Sequence, residues 1–316
     1  MTLYQEAGNV DVGAYTRKPL IILNASANSG RAAAVRSTVK EILGTLNSDA
    51  EVLETRTLEE ADRAIRDAAE QRRGPIIACG GDGTVRSAAS SLLDAGAPVP
   101  FGIVPAGTAN DYAFNTLHLP GDLRAALEVA LHGQPRRVDV ARMNDGWLIN
   151  AFGAGLDGNV AWDVKEMVET NKPWARGSAR YTVSILRQIL LYYHRLPFLD
   201  MTIDGKHLGQ RQMLLFAVMI GPTTGGGFKV APDADPTDGK MDVLLMRRMS
   251  APKALVVMPI AKAGKHTRMR EVRMLRSREV KIRGARTIQA HADGDPVRAP
   301  GFDIRVVPGG LTVMCP

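Results

Sequence analysis

Cysteine is nearly missing from this chain: Cys79 and Cys315 are the only two in 316 residues. So few rule out a disulfide framework, and Cys79 falls within an apolar run, the setting of a reduced, buried thiol. Aromatic residues are scarce at 5% and form no ladder interleaved with the basic residues. That argues against stacking of single-stranded nucleic acid, so nucleic acid is not an expected partner. The longest clean apolar run, Met213 to Ile220, falls far short of the ~20 residues that span a bilayer. No positive-then-apolar leader precedes a cleavage site at the start of the sequence, so the expected location is cytoplasmic. The six histidines are scattered without metal-ligand spacing, and no Ser-His-Asp arrangement can be argued.

Acidic residues are the minority charge, 33 against 40 Lys and Arg, which leaves a formal net charge of +7 and a pI near 9.5. An anionic partner follows: nucleic acid, an acidic membrane surface or a phosphorylated ligand. Hydrophobic residues at 45% and charged residues at 23% are those of a globular protein. The length suffices for two domains, each with its own core.

The first part of the chain alternates short apolar runs with helical periodicity. Pro19–Leu23 is followed by a helix pattern from Arg31, Glu51–Leu53 by a helix with a Thr57/Glu60 capping box, Ile76–Cys79 by a helix to about Gly96, and Val99–Val104 by a polar turn. Strand and helix in alternation predict a parallel, doubly wound α/β sheet, with ligands beyond the carboxyl ends of its strands. Three polar glycine turns fall at those ends. They are Asn24 to Gly30, Gly80-Gly81-Asp82-Gly83-Thr84, and Pro105-Ala106-Gly107-Thr108-Ala109-Asn110-Asp111. Glycine removes the Cβ atoms that keep a phosphate off the backbone, and a helix N-terminus beyond the turn favours an anion. Gly-Asp-Gly is also an ordinary tight turn. The pattern is neither a P-loop nor the dinucleotide fingerprint, since no Gly-Lys-Ser/Thr and no third glycine follow.

From about Asp139 the period becomes two. Short runs at Val138–Met143, Trp147–Phe152, Leu199–Ile203, Met213–Ile220, Met241–Met246, Glu271–Leu275, Glu279–Arg283 and Ile288–Ala292 predict an antiparallel β-sandwich domain. The expected division is 1–138 and 139–303, with 304–316 returning to the first domain. Ser178–Leu196, rich in Leu, Ile and Tyr, reads as a helix that either packs on the sheet or lines an acyl-chain entrance. Between Lys262 and Arg286 stand ten basic residues and two glutamates, a solvated sheet face or a surface for anionic lipid.

Five motifs in order resemble the diacylglycerol kinase catalytic domain family, which includes sphingosine and ceramide kinases: Gly80–Thr84, Pro105–Asp111, Gly225-Gly226-Gly227-Phe228-Lys229-Val230-Ala231-Pro232, Asp238-Gly239-Lys240-Met241-Asp242, and Asp293-Gly294-Asp295-Pro296. NAD kinases share the first turn and a two-domain, NAD kinase-like plan, but the later blocks look like the lipid kinases.

The resemblance implies ATP bound between the domains, Mg²⁺, and phosphoryl transfer to a lipid hydroxyl of the diacylglycerol, sphingosine/ceramide or phosphatidylglycerol type. Asn24, Ser29 and Gly30 match the first nucleotide loop, without the proline usual there. Thr55 or Thr57 matches a threonine after the second strand. Gly80, Gly81, Asp82, Gly83 and Thr84 would hold phosphates, and Thr108 would reach the nucleotide. A carboxylate beside phosphate needs a cation between them, so Asp82 is the expected Mg²⁺ ligand. Asp295 stands where the family has a glutamate base, shortened by one methylene or ~1.5 Å of reach, which matters for proton transfer; Asp293 would support Asp82. A chemically idle Asp-Gly-Asp turn is the other reading. Asp111 and Asp157 match acceptor-binding positions, and Asp235, Asp238 and the Lys240 carbonyl match a structural Mg²⁺ site or form a solvated acidic turn. His291 reads as a local acid or base, or as a neighbour on the opposite strand face. The expected partner is a lipid at an anionic membrane surface, met by a peripheral enzyme, and a homodimer is compatible. The alternatives are a kinase for NAD or another small molecule, and a weakly active lipid-binding regulatory homologue.

Overall fold

A computed structural model of the chain describes residues 18–24, 31–170 and 179–316. Two compact units emerge: residues 1–139 with 309–316, and residues 140–308.

In the first unit β1 (Leu20–Asn24), α1 (Arg31–Thr45), β2 (Glu51–Thr55), α2 (Leu58–Glu70), β3 (Ile76–Gly80), α3 (Asp82–Ala95) and β4 (Phe101–Pro105) alternate, and α4 (Leu123–His132) follows. The strands are parallel in the order β2-β1-β3-β4. β3 is buried along its whole length, as a parallel strand covered on both faces must be. Helix starts are set by side chains. Thr57 accepts from the Glu60 N–H and Asp122 from the Ala125 N–H. The capping box is offset by one residue, because the Glu60 carboxylate accepts from the N–H of Arg56 rather than that of Thr57. Register brings Asn24 beside Thr55 and Gly80 beside Pro105, so these strand ends lie along one edge.

The second unit is antiparallel. β5 (Gln134–Met143) enters it and pairs with β6 (Gly146–Leu148). β7 (Ala151–Gly155), α5 (Leu156–Glu169), α6 (Ala179–Leu190), β8 (Phe198–Ile203), β9 (Lys206–Met219), β10 (Met241–Arg247), α7 (Ala251–Lys262), β11 (Val272–Ser277), β12 (Glu279–Ala292) and β13 (Asp295–Cys315) follow. Strand order is β11-β10-β9-β7-β12-β13, with β8 joining β9 and β12. Alternate residues feed two cores. Val243, Phe216 and Val218 join Phe152 and Phe302 on one side, whereas Leu244, Leu214 and Met219 meet Ile189 and Val257 on the other. A strand buried on both faces carries apolar residues in succession, as Val243 to Met246 do in β10.

Three expectations are corrected. Trp147–Phe152 is not one strand, because Ile149 and Asn150 leave the ladder to give their N–H groups to Asp293. Glu279–Arg283 and Ile288–Ala292 are one strand, β12, with a register break between Arg283 and Ile288. The helices α5 and α7 escape the period-two reading; α7 is a Val- and Met-rich segment with a proline in its first turn and Pro259 inside. β13 carries the chain back to the first unit, where Val313 pairs with Phe101. Among the described residues no helix is long and apolar enough to cross a membrane.

Candidate active site

In the first unit the turns after β3 and β4, the third and fourth in strand order, are packed backbone to backbone. The Ala106 N–H donates to the Gly80 carbonyl at 2.9 Å. A Cβ on Gly107 would stand 2.4 Å from the Gly81 Cα, and one on Gly80 would run into the side chain of Thr84. Glycine is thus demanded by close approach rather than by turn conformation at both positions. Asn110, in the left-handed region with φ 52°, closes the fourth turn by accepting from the Gly107 N–H and donating to its carbonyl, each at 3.0 Å. The first turn joins through Asn24, whose Nδ2 donates to the Thr84 hydroxyl at 3.3 Å. Ser29 and Gly30 lie outside the described residues.

Gly81 caps α3 without a side-chain hydrogen bond, so the N-terminal N–H groups and the positive end of the helix dipole are left for an anion. Asp82 occupies the first turn of that helix. Its Oδ1 accepts from the Tyr112 N–H at 3.4 Å. Burial first, and then the charge of Asp111, hold its carboxyl above the usual range, against the backbone N–H groups of residues 110–112 that lower it. Asp111 is buried and accepts from Asn115 at 3.1 Å. Two carboxylates repelling one another beside an anion-ready helix end fit a hard divalent cation. Asp111 therefore keeps company with Asp82. Thr55 is buried while Thr108 is exposed on the fourth turn.

The second unit gathers the remaining residues at the β12–β13 hairpin. Asp293 and Gly294 form its two-residue turn, with φ of 49° and 88°, the Asp-Gly signature of a type I′ connection. The Asp293 carboxylate accepts from the N–H groups of Ile149, Asn150 and Ala151 at 2.8–2.9 Å. The carboxylate thus holds the β6–β7 junction in place. Asp295 opens β13 opposite Ala292 and is exposed.

Next to it lies a pair that sequence reading missed. His291 approaches Oδ2 of Asp157 through Nε2 at 2.7 Å, and its Nδ1 accepts from the Gly294 N–H at 3.2 Å. The neutral ring therefore carries its proton on Nε2. Burial disfavours the imidazolium, yet the charges of Asp157, Asp293 and Asp295 prevail and raise the His291 pKa. Asp157 sits in the first turn of α5, after Gly155 at φ 86°. The available signal was Gly153, directly across from His291 in the ladder; a Cβ there would fall 2.3 Å from the Asp157 carboxylate.

Asp157, His291 and Gly294 form part of the lining of an apolar cavity of about 100 Å³, otherwise walled by residues such as Leu156, Ile185, Leu214 and Met258. His266 also lines it. It is buried, its Nε2 meets the Val230 carbonyl at 3.1 Å, and its Nδ1 has no hydrogen-bond partner among the described residues. Gly225, Gly226 and Gly227, all at positive φ, make the tip of a loop closed by Thr224 and Phe228, and Gly225 reaches the same cavity.

The acidic loop is held by its own hydrogen bonds. Asp235 accepts from the Thr237 N–H and hydroxyl, and Asp238 accepts from the Lys240 N–H and pairs with Arg276. Among the described residues no cluster of three or more His, Cys, Asp or Glu side chains has a metal-holding arrangement. Both carboxylates of the expected structural Mg²⁺ set thus have protein partners. The nearest charge coupling is at Asp242, whose carboxyl is pushed up to about 6 by burial and by Asp233 and Asp235.

The diacylglycerol kinase catalytic domain matches residues 18–143, and the YegS C-terminal NAD kinase beta sandwich-like domain matches residues 150–315. The chain belongs to the diacylglycerol kinase family. It is 30% identical to a diacylglycerol kinase of Mycobacterium tuberculosis over 76% of each chain. It is 27% identical to one of Bacillus subtilis, over 75% of this chain and 76% of the other. A crystal structure of a diacylglycerol kinase from Bacillus anthracis superposes with a TM-score of 0.71 at 19% identity, covering 95% of this chain and 97% of that one. These matches make the family's mixed α/β architecture and its kinase chemistry the frame for the site: a transferase domain followed by a β-sandwich domain.

Proposed function

We propose that this diacylglycerol kinase family member is an ATP-dependent lipid kinase that phosphorylates the hydroxyl of an acyl-bearing lipid. One observation carries the reading. An apolar cavity within the second unit has Asp157, His291 and Gly294 in its wall, and Gly294 precedes Asp295 in the chain. Acyl chain in the cavity and hydroxyl among the carboxylates is the arrangement that such a lining accommodates.

When bound, Mg·ATP supplies the phosphoryl group and neutralises charge on its oxygens. Asp82 and Asp111 are the residues to hold the metal, and the N–H groups at the start of α3 and around Gly107 the ones to hold phosphate. Asp295 accepts the proton of the acceptor hydroxyl, being an exposed carboxylate at the first position of β13, just after the hairpin turn. His291 keeps Asp157 in place, and the Asp157 carboxylate orients the hydroxyl by accepting its hydrogen bond. The enzyme works at a membrane surface, where its acceptor resides.

The test is γ-labelled ATP with Mg²⁺ and a panel of diacylglycerol, phosphatidylglycerol, sphingosine, ceramide and NAD. Label in an extracted lipid is the expected result. Label in the aqueous NAD product alone would establish a small-molecule kinase, and nucleotide binding without any transfer would establish a regulatory protein. In an active preparation, Asp295→Asn must abolish turnover; unchanged turnover removes Asp295 as the base.

A further inference from the structure

The second unit has another concavity, of about 450 Å³, that the kinase reading leaves unused. Arg195, Arg286 and Arg298 line it with Asn159, Thr287 and Gln289, and no carboxylate is part of its wall. Three guanidinium groups, two amides and a hydroxyl present donors in abundance, a lining suited to an anion with several acceptor oxygens.

None of the three arginines has an ion pair among the described residues. Two are fixed by stacking instead: Arg195 lies 4.4 Å from the centre of the Tyr192 ring and Arg298 5.4 Å from that of Trp162. A ring face steadies a guanidinium without cancelling its charge. The third is delivered by the register break in β12, which lets Arg286 and Thr287 leave the ladder. Arg195 also lines an adjoining depression whose carboxylates are Asp163, Glu166 and Glu169; Asp163 is paired with Arg187 at 3.0 Å and Glu169 lies 4.0 Å from Lys165, which leaves Glu166 without an ion pair among the described residues. The basic run 262–286 gives less than its sequence promises, since Arg276, Lys281 and Arg283 are each paired with an acidic side chain.

The segment that brings Arg195 to the concavity also carries exposed apolar bulk. Leu190 is 64% exposed, Leu191 61% and Phe198 53%; Phe198 follows Pro197, itself a lining residue. A free phosphate ester would need only the arginines. Large exposed apolar side chains on the same segment as one of these arginines are the composition of a surface that enters the headgroup region of a bilayer.

We propose that this face docks on an anionic phospholipid surface, the headgroup phosphate seated among Arg195, Arg286 and Arg298 and the side chains of Leu190, Leu191 and Phe198 inserted beside it. The inference rests on the lipid-kinase reading for the reason such a surface would be needed, but its test does not depend on turnover.

The full chain is sedimented with vesicles of phosphatidylcholine alone and of phosphatidylcholine with phosphatidylglycerol. Binding is expected to the anionic vesicles, and the triple variant R195A/R286A/R298A should lose it on the order of 100-fold, given the contribution of each basic residue near such a membrane. The charge-matched control R268A/R270A/R273A should change it less than about threefold. Leu190→Ser with Leu191→Ser and Phe198→Ser should weaken vesicle binding about tenfold or more. Equal loss in the control would show diffuse charge rather than a site and overturn the proposal. So would undiminished vesicle binding by the serine variant together with competition by inorganic phosphate, which would show a site for a free anion. Melting temperatures and turnover of detergent-dispersed acceptor, unchanged in the variants, establish that they fold. If the wild type binds vesicles yet phosphorylates no lipid, the kinase reading fails and the docking face stands.

Discussion

Gly153 and His291 are cross-strand partners, and the space a side chain on Gly153 would need is filled by the hydrogen bond between His291 and Asp157. Gly153→Ala must therefore push the pair apart, because its Cβ would fall 2.4 Å from Nε2 of His291. Turnover of the acceptor lipid should drop at least ~10-fold, with a loss of ~1–3 kcal/mol of stability from overpacking. Steady-state rates and denaturant unfolding measure the two effects separately. Wild-type rates in the variant would show that the pair has no part in acceptor positioning.

Asp293 and Asp295 differ by two positions and should differ wholly in phenotype. Removing the Asp293 carboxylate orphans the N–H groups of Ile149, Asn150 and Ala151, so Asp293→Ala should cost ~2–4 kcal/mol in denaturant unfolding. Asp295→Asn, at an exposed position, should leave the unfolding midpoint within ~0.5 kcal/mol and still abolish turnover. The opposite pattern would exchange the two roles.

Gly107→Ala tests the contact between the third and fourth turns. The added methyl meets the Gly81 backbone at 2.4 Å, and backbone cannot swing aside as a long side chain can. Nucleotide affinity, read by calorimetry, should fall ~10-fold or more, whereas the affinity of the second unit's apolar cavity for a short-chain lipid should not change. Unaltered nucleotide binding would separate these turns from the phosphate site.

His266 sets a pH dependence of stability. Burial lowers its pKa, against the Val230 carbonyl that raises it, so the folded protein binds this proton less readily than the unfolded chain does. The contribution is favourable above the ordinary histidine range near ~6.5 and is lost as pH falls through it, since the unfolded state then takes up a proton the folded state resists. His266→Phe should flatten the decline in melting temperature between about pH 7 and pH 5. A wild-type slope in the variant would assign the acid sensitivity elsewhere.

The parallel sheet and its turns were legible because each strand, turn and helix is a local event, written within about twenty residues. The glycine spacing at Gly80–Gly83 and Gly107 announced close backbone approach, and Gly81 and Gly107 do meet. The partners of Asp293 were not legible for the opposite reason: its donors lie 142–144 residues away, and a hairpin turn and a catalytic carboxylate look alike in one dimension. The partnership of Asp157 with His291 spans 134 residues and was equally invisible. Helices α5 and α7 were hidden by composition, since apolar residues that face a second core carry no helix-specific period. In the acidic loop, the Arg276 partner of Asp238 lies 38 residues away in the chain, so that pairing was not legible either.

The strand that pairs with Phe101 comes from residues 309–316, which belong to the first unit. Ribosomes must finish all of residues 140–308 before that sheet edge can be covered. During synthesis the β4 edge waits bare, a template for the wrong strand as much as the right one. An isolated fragment ending at Asp139 would retain the glycine turns and lack the strand that pairs with β4 at Phe101, so dissecting this protein by truncation requires a graft rather than a cut.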